Sequence, residues 1–294
     1  MGWWCYCFCM SEDFAGKDLH GQDFTARNLA ESVMVGANLT RATLYRTDLH
    51  GADLRNVNAS GAVLYGANLE GANLESARLV GANLRGANFA GANLRRADLT
   101  GADLHDAVLT NANLEHAVLA GALIEGQVRL TGTNLDGCDL RRARASGVTF
   151  VGASMRRANL FAADVSGANL ADVDLVGATL IGVNARGAVL ARAKLISSDL
   201  YGASFQESDF SSADLADVKA HGANFRAASL THANVHGANF FGASLVGANL
   251  SGVNLASASL TRADLTDATL DASDLTQTNG ALASGAMGAQ TYAS

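Results

Sequence analysis

Gly36-Ala37-Asn38-Leu39-Thr40, Gly66-Ala67-Asn68-Leu69-Glu70 and Gly91-Ala92-Asn93-Leu94-Arg95 carry one five-residue pattern. It reads glycine, a small residue, Asn or Asp, a large apolar centre, then a variable residue. Outward from these copies, centres recur every five residues from Phe14 through Leu19, Phe24, Leu29, Met34 and Leu39 to Ile124. The next centre, Leu130, comes six residues on, after which the count of five resumes through Leu135, Leu140, Phe150 and Leu160 to Leu275. One residue is therefore inserted within 125–129. A period of five is neither the 3.6 of a helix nor the 2 of a strand. Glycine at every fifth position would also destabilise a continuous helix. The chain must turn once per unit, burying the centre and the small residue two before it, with the intervening Asn or Asp free to bond backbone, a role expected at the corner.

Composition agrees. The 294 residues contain no proline and 31 glycines; 49% are hydrophobic but only 6% aromatic. So apolar a chain is not disordered, and without bulky residues it must bury its leucines by stacking copies of a small unit. The net charge of −7 excludes the basic footprint of a direct nucleic-acid binder. Four cysteines, three of them at Cys5, Cys7 and Cys9, give no disulfide framework for the body and fit a reducing cytoplasm.

The repeated A-(D/N)-L-x-x unit over residues 11–280 resembles the pentapeptide-repeat proteins. That resemblance implies an all-β fold: a right-handed quadrilateral parallel β-helix with four units per coil. Roughly 53 units would give about 13 coils and, at ~4.8 Å per coil, a rod about 60 Å long. Two details of the sequence fit stacked squares independently. The small residue is replaced by Glu12, Lys17, Gln22 and Arg27 in the first four units, which is one coil, and only a terminal coil lets four long polar side chains reach water. Where centres shrink to Ala59, Ala185 and Ala220, the paired small residue grows to Val57, Val183 and Val218, as a close-packed interior requires; Ala145 lacks this compensation.

Outside the solenoid, residues 1–10 form an apolar segment without the basic start or cleavage site of a signal peptide. It is expected to fold over the first coil as a cap; a membrane contact and a translation start at Met10 are the alternatives. Residues 281–294 read as a small-residue tail.

No catalytic, cofactor-binding or metal site is expected. Cys5, Cys7 and Cys9 have no fourth ligand nearby. His232 and His236 alone have metal-like spacing, and a rod places them at different points of one coil. The functional signal lies in the variable position after each centre. Read every twenty residues, Arg55, Glu75, Arg95 and Glu115 alternate in charge, a structural ladder in which Glu75 is expected to bridge Arg55 and Arg95. Tyr45, Tyr65 and Arg85 offer stacking partners. Phe161, Ile181, Tyr201, His221 and Phe241 are apolar where exposure is demanded, making them the candidate partner face.

The expected function is a non-catalytic scaffold for protein–protein interaction, with a homodimer through the same column as one outcome. The family resemblance supplies the alternative, a DNA mimic that binds gyrase or another type II topoisomerase and confers quinolone-like resistance or self-protection.

Overall fold

In the computed structural model, which describes residues 12–270, thirteen four-sided coils run from the centre Phe14 to the centre Leu270. Each side contributes one bridging residue, the one before the centre, which pairs in parallel with its counterpart one coil away. The bridges connect residues twenty apart, as in Asn73 to Asn93, except for four that span the insertion at twenty-one: Val108–Arg129, Asn113–Asn134, Val118–Asp139 and Leu123–Arg144.

A single unit shows why five residues suffice. The N–H of Ala92 closes a turn onto Phe89 O at 2.9 Å, and that of Asn93 donates to Ala72 O in the coil below at 3.0 Å. Leu94 donates to Asn113 O in the coil above at 2.7 Å, and Arg96 to Glu115 O at 3.0 Å. Only Arg95 has no backbone acceptor, and its N–H is taken by the Asn93 side-chain oxygen at 3.2 Å. All five donors are satisfied, as a backbone packed this closely requires. The Asn or Asp therefore stands at the middle of a side rather than at the corner where the sequence placed it. Its side chain folds along the strand to cap the turn it precedes.

The turns have a positive φ at their third residue, the requirement of type II. Glycine meets it at Gly101 (φ 64°), but arginine accepts it at Arg96 (φ 56°). Most such residues also donate to the next coil, as Arg96 does to Glu115 O, which makes the strain tolerable.

Centres and small residues line the interior and are essentially dry. Val57 over Ala59, Val183 over Ala185 and Val218 over Ala220 are all buried; beside the uncompensated Ala145, the enlarged residue is the small residue of the next unit, buried Val148. A phenylalanine cluster fills the upper coils: Phe225 stacks on Phe205 at 5.3 Å and 16°, and meets Phe210 and Phe240 at 5.6 Å each.

At the lower end three of the four polar substitutions, Glu12, Lys17 and Arg27, make contacts over the first coil. Arg27 reaches across to Glu12 through two bonds of 2.8 and 3.0 Å and lies over the Phe24 ring at 5.5 Å. Lys17 covers Phe14 at 5.2 Å and donates to Asp13 O. Residues 1–10, the cysteines Cys5, Cys7 and Cys9, and the tail 281–294 lie outside the described residues.

Candidate interaction face

Number the sides by their first centres, Phe14, Leu19, Phe24 and Leu29. Everything notable on the surface follows from which variable residues the register stacks. On the second side, the backbone itself draws the column. Arg142 N–H donates to Phe161 O, Ala162 to Ile181 O, Gly182 to Tyr201 O, Gly202 to His221 O and Gly222 to Phe241 O, at 2.9 to 3.0 Å. Phe161, Ile181, Tyr201, His221 and Phe241 thus stand one above another, with Ala162, Gly182, Gly202, Gly222 and Gly242 forming a recessed lane beside them.

Phe161, Tyr201 and Phe241 are 40%, 60% and 38% exposed, three of the five large apolar side chains left in water among the described residues. Ile181 and His221 between them are half-buried. The rings are consequently separated by two coils and do not stack on each other. The contacts at the top are His221 with Phe241 at 6.0 Å and Arg262 over Phe241 at 5.4 Å. The third side provides the contrast. There Tyr45 lies flat on Tyr65 at 5.6 Å and 13°, with Arg46 over Tyr45 at 5.2 Å, so that column satisfies itself.

The alternating-charge column on the first side is stacked in register but pairs differently from the expectation. Arg55 does not bridge to Glu75. It turns back within its own coil and grips Asp53 with Nε and a terminal nitrogen at 2.8 and 2.6 Å. This holds the Asp53 carboxyl below its ordinary pKa and raises that of Arg55. Arg95 pairs with Glu115 rather than Glu75, at 3.0 Å, although its N–H is not aimed at the carboxylate and makes no hydrogen bond. An acceptor two residues away in the same strand outcompetes one a coil away because fewer side-chain rotamers must be fixed.

Two further features escaped the sequence. A cleft of about 440 Å³ opens at the foot of the aromatic column, lined by Ala120, Gly121, Arg141, Arg142 and Phe161. It exists because small Ala120 and Gly121 lie beneath large residues of the next two coils; stacking the column across the insertion, at a step of twenty-one, is the signal that reveals it. Within it Arg141 is committed to Asp139 at 2.6 Å, while the Arg142 guanidinium has no ion pair or side-chain hydrogen bond among the described residues. The second feature is charge. The second side carries Lys17, Arg41, Arg78, Arg141, Arg142, Lys219 and Arg262 against Asp18, Asp98, Asp139 and Asp199, so it is the basic side of an acidic rod.

No cluster of metal-binding side chains occurs among the described residues, and no helix there is long and apolar enough to cross a membrane. The family model for pentapeptide repeats matches in eight copies running from 23–61 to 243–279. This chain belongs to the pentapeptide-repeat family. Its rod is similar to the crystal structure of HetL from the cyanobacterium Nostoc sp. strain PCC 7120, a pentapeptide-repeat protein involved in regulating heterocyst differentiation. The two share 29% identity over 72% of this chain and 89% of that one, with a TM-score of 0.39. It is also similar to Rfr23 from Cyanothece 51142 (27% identity, 43% and 85% coverage, TM-score 0.31). A trypsin-treated form of QnrB1, a plasmid-mediated fluoroquinolone resistance protein, matches at 16% identity, 89% and 90% coverage and a TM-score of 0.34. Among curated proteins no relative matches.

Proposed function

We propose that this pentapeptide-repeat rod is a non-catalytic scaffold that binds a protein partner through the second side, with Phe161, Ile181, Tyr201, His221 and Phe241 as the contact column. The observation that carries the reading is the exposed, unstacked state of Phe161 and Tyr201. A ring that stabilises its own coils lies on a neighbour, as Tyr45 does on Tyr65; one that stands alone in water costs hydration and gains only from a partner.

A symmetric homodimer through this column is disfavoured by charge. A two-fold axis would bring Arg142 of each copy against Arg262 of the other. Binding to a type II topoisomerase as a DNA mimic would ask for a continuous acidic surface. The net charge of −7 favours it, but arginines interrupt each side, as Arg95 and Arg156 do the first, Arg85 and Arg186 the third, and Arg129 and Arg192 the fourth.

The test is a photo-crosslinking amino acid at Tyr201, with Ala171 on the opposite side as control. The scaffold reading expects a specific protein adduct from position 201 in cells, lost on Phe241→Glu, and none from 171. Equal labelling from both positions, or none from 201, overturns it. A gyrase supercoiling assay with and without a fluoroquinolone distinguishes the topoisomerase reading.

A further inference from the structure

The aromatic column has a period of its own. Because Ile181 and His221 separate them, Phe161, Tyr201 and Phe241 recur every second coil, about 9.6 Å apart at ~4.8 Å per coil. A ligand lying along the rod must offer an apolar group to each ring at that interval. An α-helix repeats its face every seven residues, about 10.5 Å at 1.5 Å per residue, and drifts by roughly 2 Å over two steps. An extended strand repeats a face every ~6.6 or ~13.2 Å and misses the middle ring. It also finds no free ladder edge, since the strand donors of this side, such as Leu180, Leu200 and Ala220, are already bonded between coils. A polyproline-type helix repeats every three residues, about 9.3 Å at 3.1 Å per residue, and stays in step with all three rings.

The surroundings define the rest of the ligand. The recessed lane of Ala162, Gly182, Gly202, Gly222 and Gly242 runs beside the column, and an added Cβ at each of these glycines would meet open space. This leaves an aromatic wall over a shallow groove, the surface on which a pre-ordered, low-entropy polyproline segment docks. Charge is arranged at the ends. Arg142 stands free in the cleft under Phe161, and Arg262 caps Phe241. The intervening Asp199 turns its carboxylate back onto the Tyr201 backbone N–H at 3.1 Å, and Lys219 is its backbone neighbour in the next coil. The two guanidinium ends are six coils apart, about 29 Å at ~4.8 Å per coil, the length of roughly nine residues of polyproline helix.

We propose that the second side binds a proline-rich segment in polyproline conformation, with an apolar residue at every third position and acidic residues at both ends, one of them seated against Arg142 in the cleft. This rests on the reading of the column as the contact surface and adds the chemistry of what it contacts.

The experiment is fluorescence anisotropy of the full-length protein with a labelled synthetic peptide, Asp-Glu-(Leu-Pro-Pro)3-Glu-Asp. Three peptides serve as comparisons: one with the same residues scrambled, one with lysine at both ends, and a helix-forming peptide with leucine every seventh residue and acidic ends. A mixed-sequence single-stranded oligonucleotide is the fourth probe. The expected result is saturable binding of the first peptide, at least tenfold tighter than each of the others, with at least tenfold loss on Tyr201→Ala at an unchanged melting temperature. Arg142→Glu combined with Arg262→Glu is expected to reverse the preference towards the lysine-ended peptide. Equal binding of the scrambled or lysine-ended peptide, preference for the helical peptide or the oligonucleotide, or no binding at all overturns the proposal. If no peptide binds but position 201 still crosslinks a protein in cells, the scaffold reading stands and only the polyproline chemistry falls.

Discussion

The carboxylate of Asp106 accepts the backbone N–H of Gln127 at 2.7 Å, so the one residue that breaks the five-residue count is held by the coil beneath it. Gly126 takes this corner at φ 75°, a backbone that L side chains rarely adopt, and a Cβ there would also have to displace the Asp106 carboxylate and the His105 ring. The accommodation is incomplete. Above the insertion, the intercoil donors Leu130, Gly132, Thr149, Gly152 and Asp174 fall outside hydrogen-bond geometry, although the bridges Arg129–Thr149 and Ser154–Asp174 persist.

Deleting Gln127 is therefore expected to stabilise the rod. The strict period would return, Gly126 would close an ordinary turn, and several stretched bonds would shorten, each worth about 0.5–1.5 kcal/mol. Loss of the Asp106 bond offsets part of this. A thermal melt should rise by a few degrees; a fall would mean that the insertion relieves strain instead of storing it.

The interior is most sensitive where aromatic contacts converge. Phe225 touches Phe205, Phe210 and Phe240 and is fully buried. Phe225→Ala is expected to cost about 3–5 kcal/mol, whereas Phe225→Leu, nearer in volume, should cost less than half of that. Chemical denaturation of the two variants checks the order.

Cys138 supplies a pH signature. Its thiol is fully buried, 2.8 Å from Leu114 O, and burial pushes its pKa up to about 12. An unfolded cysteine ionises near 8.5, so the unfolded state releases this proton first. The stabilisation is fully present below about pH 8.5 and is lost as pH rises towards 12. Cys138→Ala should flatten the fall in stability between about pH 9 and 11. In the native protein, peptide mapping after iodoacetamide should find Cys138 unmodified until denaturant is added.

What the sequence made legible, and what it did not, divides along a physical line. The coil of twenty, the extra residue and the polar first coil are each dictated by burial: a leucine that must be inside fixes the position of every neighbour. The stacked columns follow, because register in this fold has no freedom once the period is set. Arg55 shows the limit. Its long side chain chooses between Asp53 and Glu75 by small energies that no spacing encodes. The role of Asn93 was misplaced for a related reason: its identity suggests a turn, but only the full donor count shows that it caps the turn from the strand. The cleft depends on side-chain size in three successive coils at once.

Charge on the first side should matter little to stability. Arg95 and Glu115 are each about a third exposed, and their contact lacks an aligned hydrogen bond. A double-mutant cycle of Arg95→Ala and Glu115→Ala is expected to give a coupling below ~1 kcal/mol, weakening further in salt. Glu75→Ala, which removes neither pair, should change stability by less than about 0.5 kcal/mol. A coupling above 2 kcal/mol would require a buried pair that the geometry does not contain.

The two tyrosine columns make opposite predictions for the same substitution. Tyr65 is 41% exposed but has a stacked neighbour in Tyr45, which in turn carries Arg46. Tyr65→Ala should therefore lower stability, by about 0.5–1.5 kcal/mol for the stack and somewhat more for the apolar area uncovered. Tyr201 is 60% exposed and has no ring against it. Tyr201→Ala removes a side chain that already faces water, so its effect should stay within about 0.5 kcal/mol. Parallel melts of the two variants under one set of conditions test this directly. If Tyr201→Ala destabilises as much as Tyr65→Ala, the second-side column is a stabilising ladder, and the exposed rings need no partner to explain them.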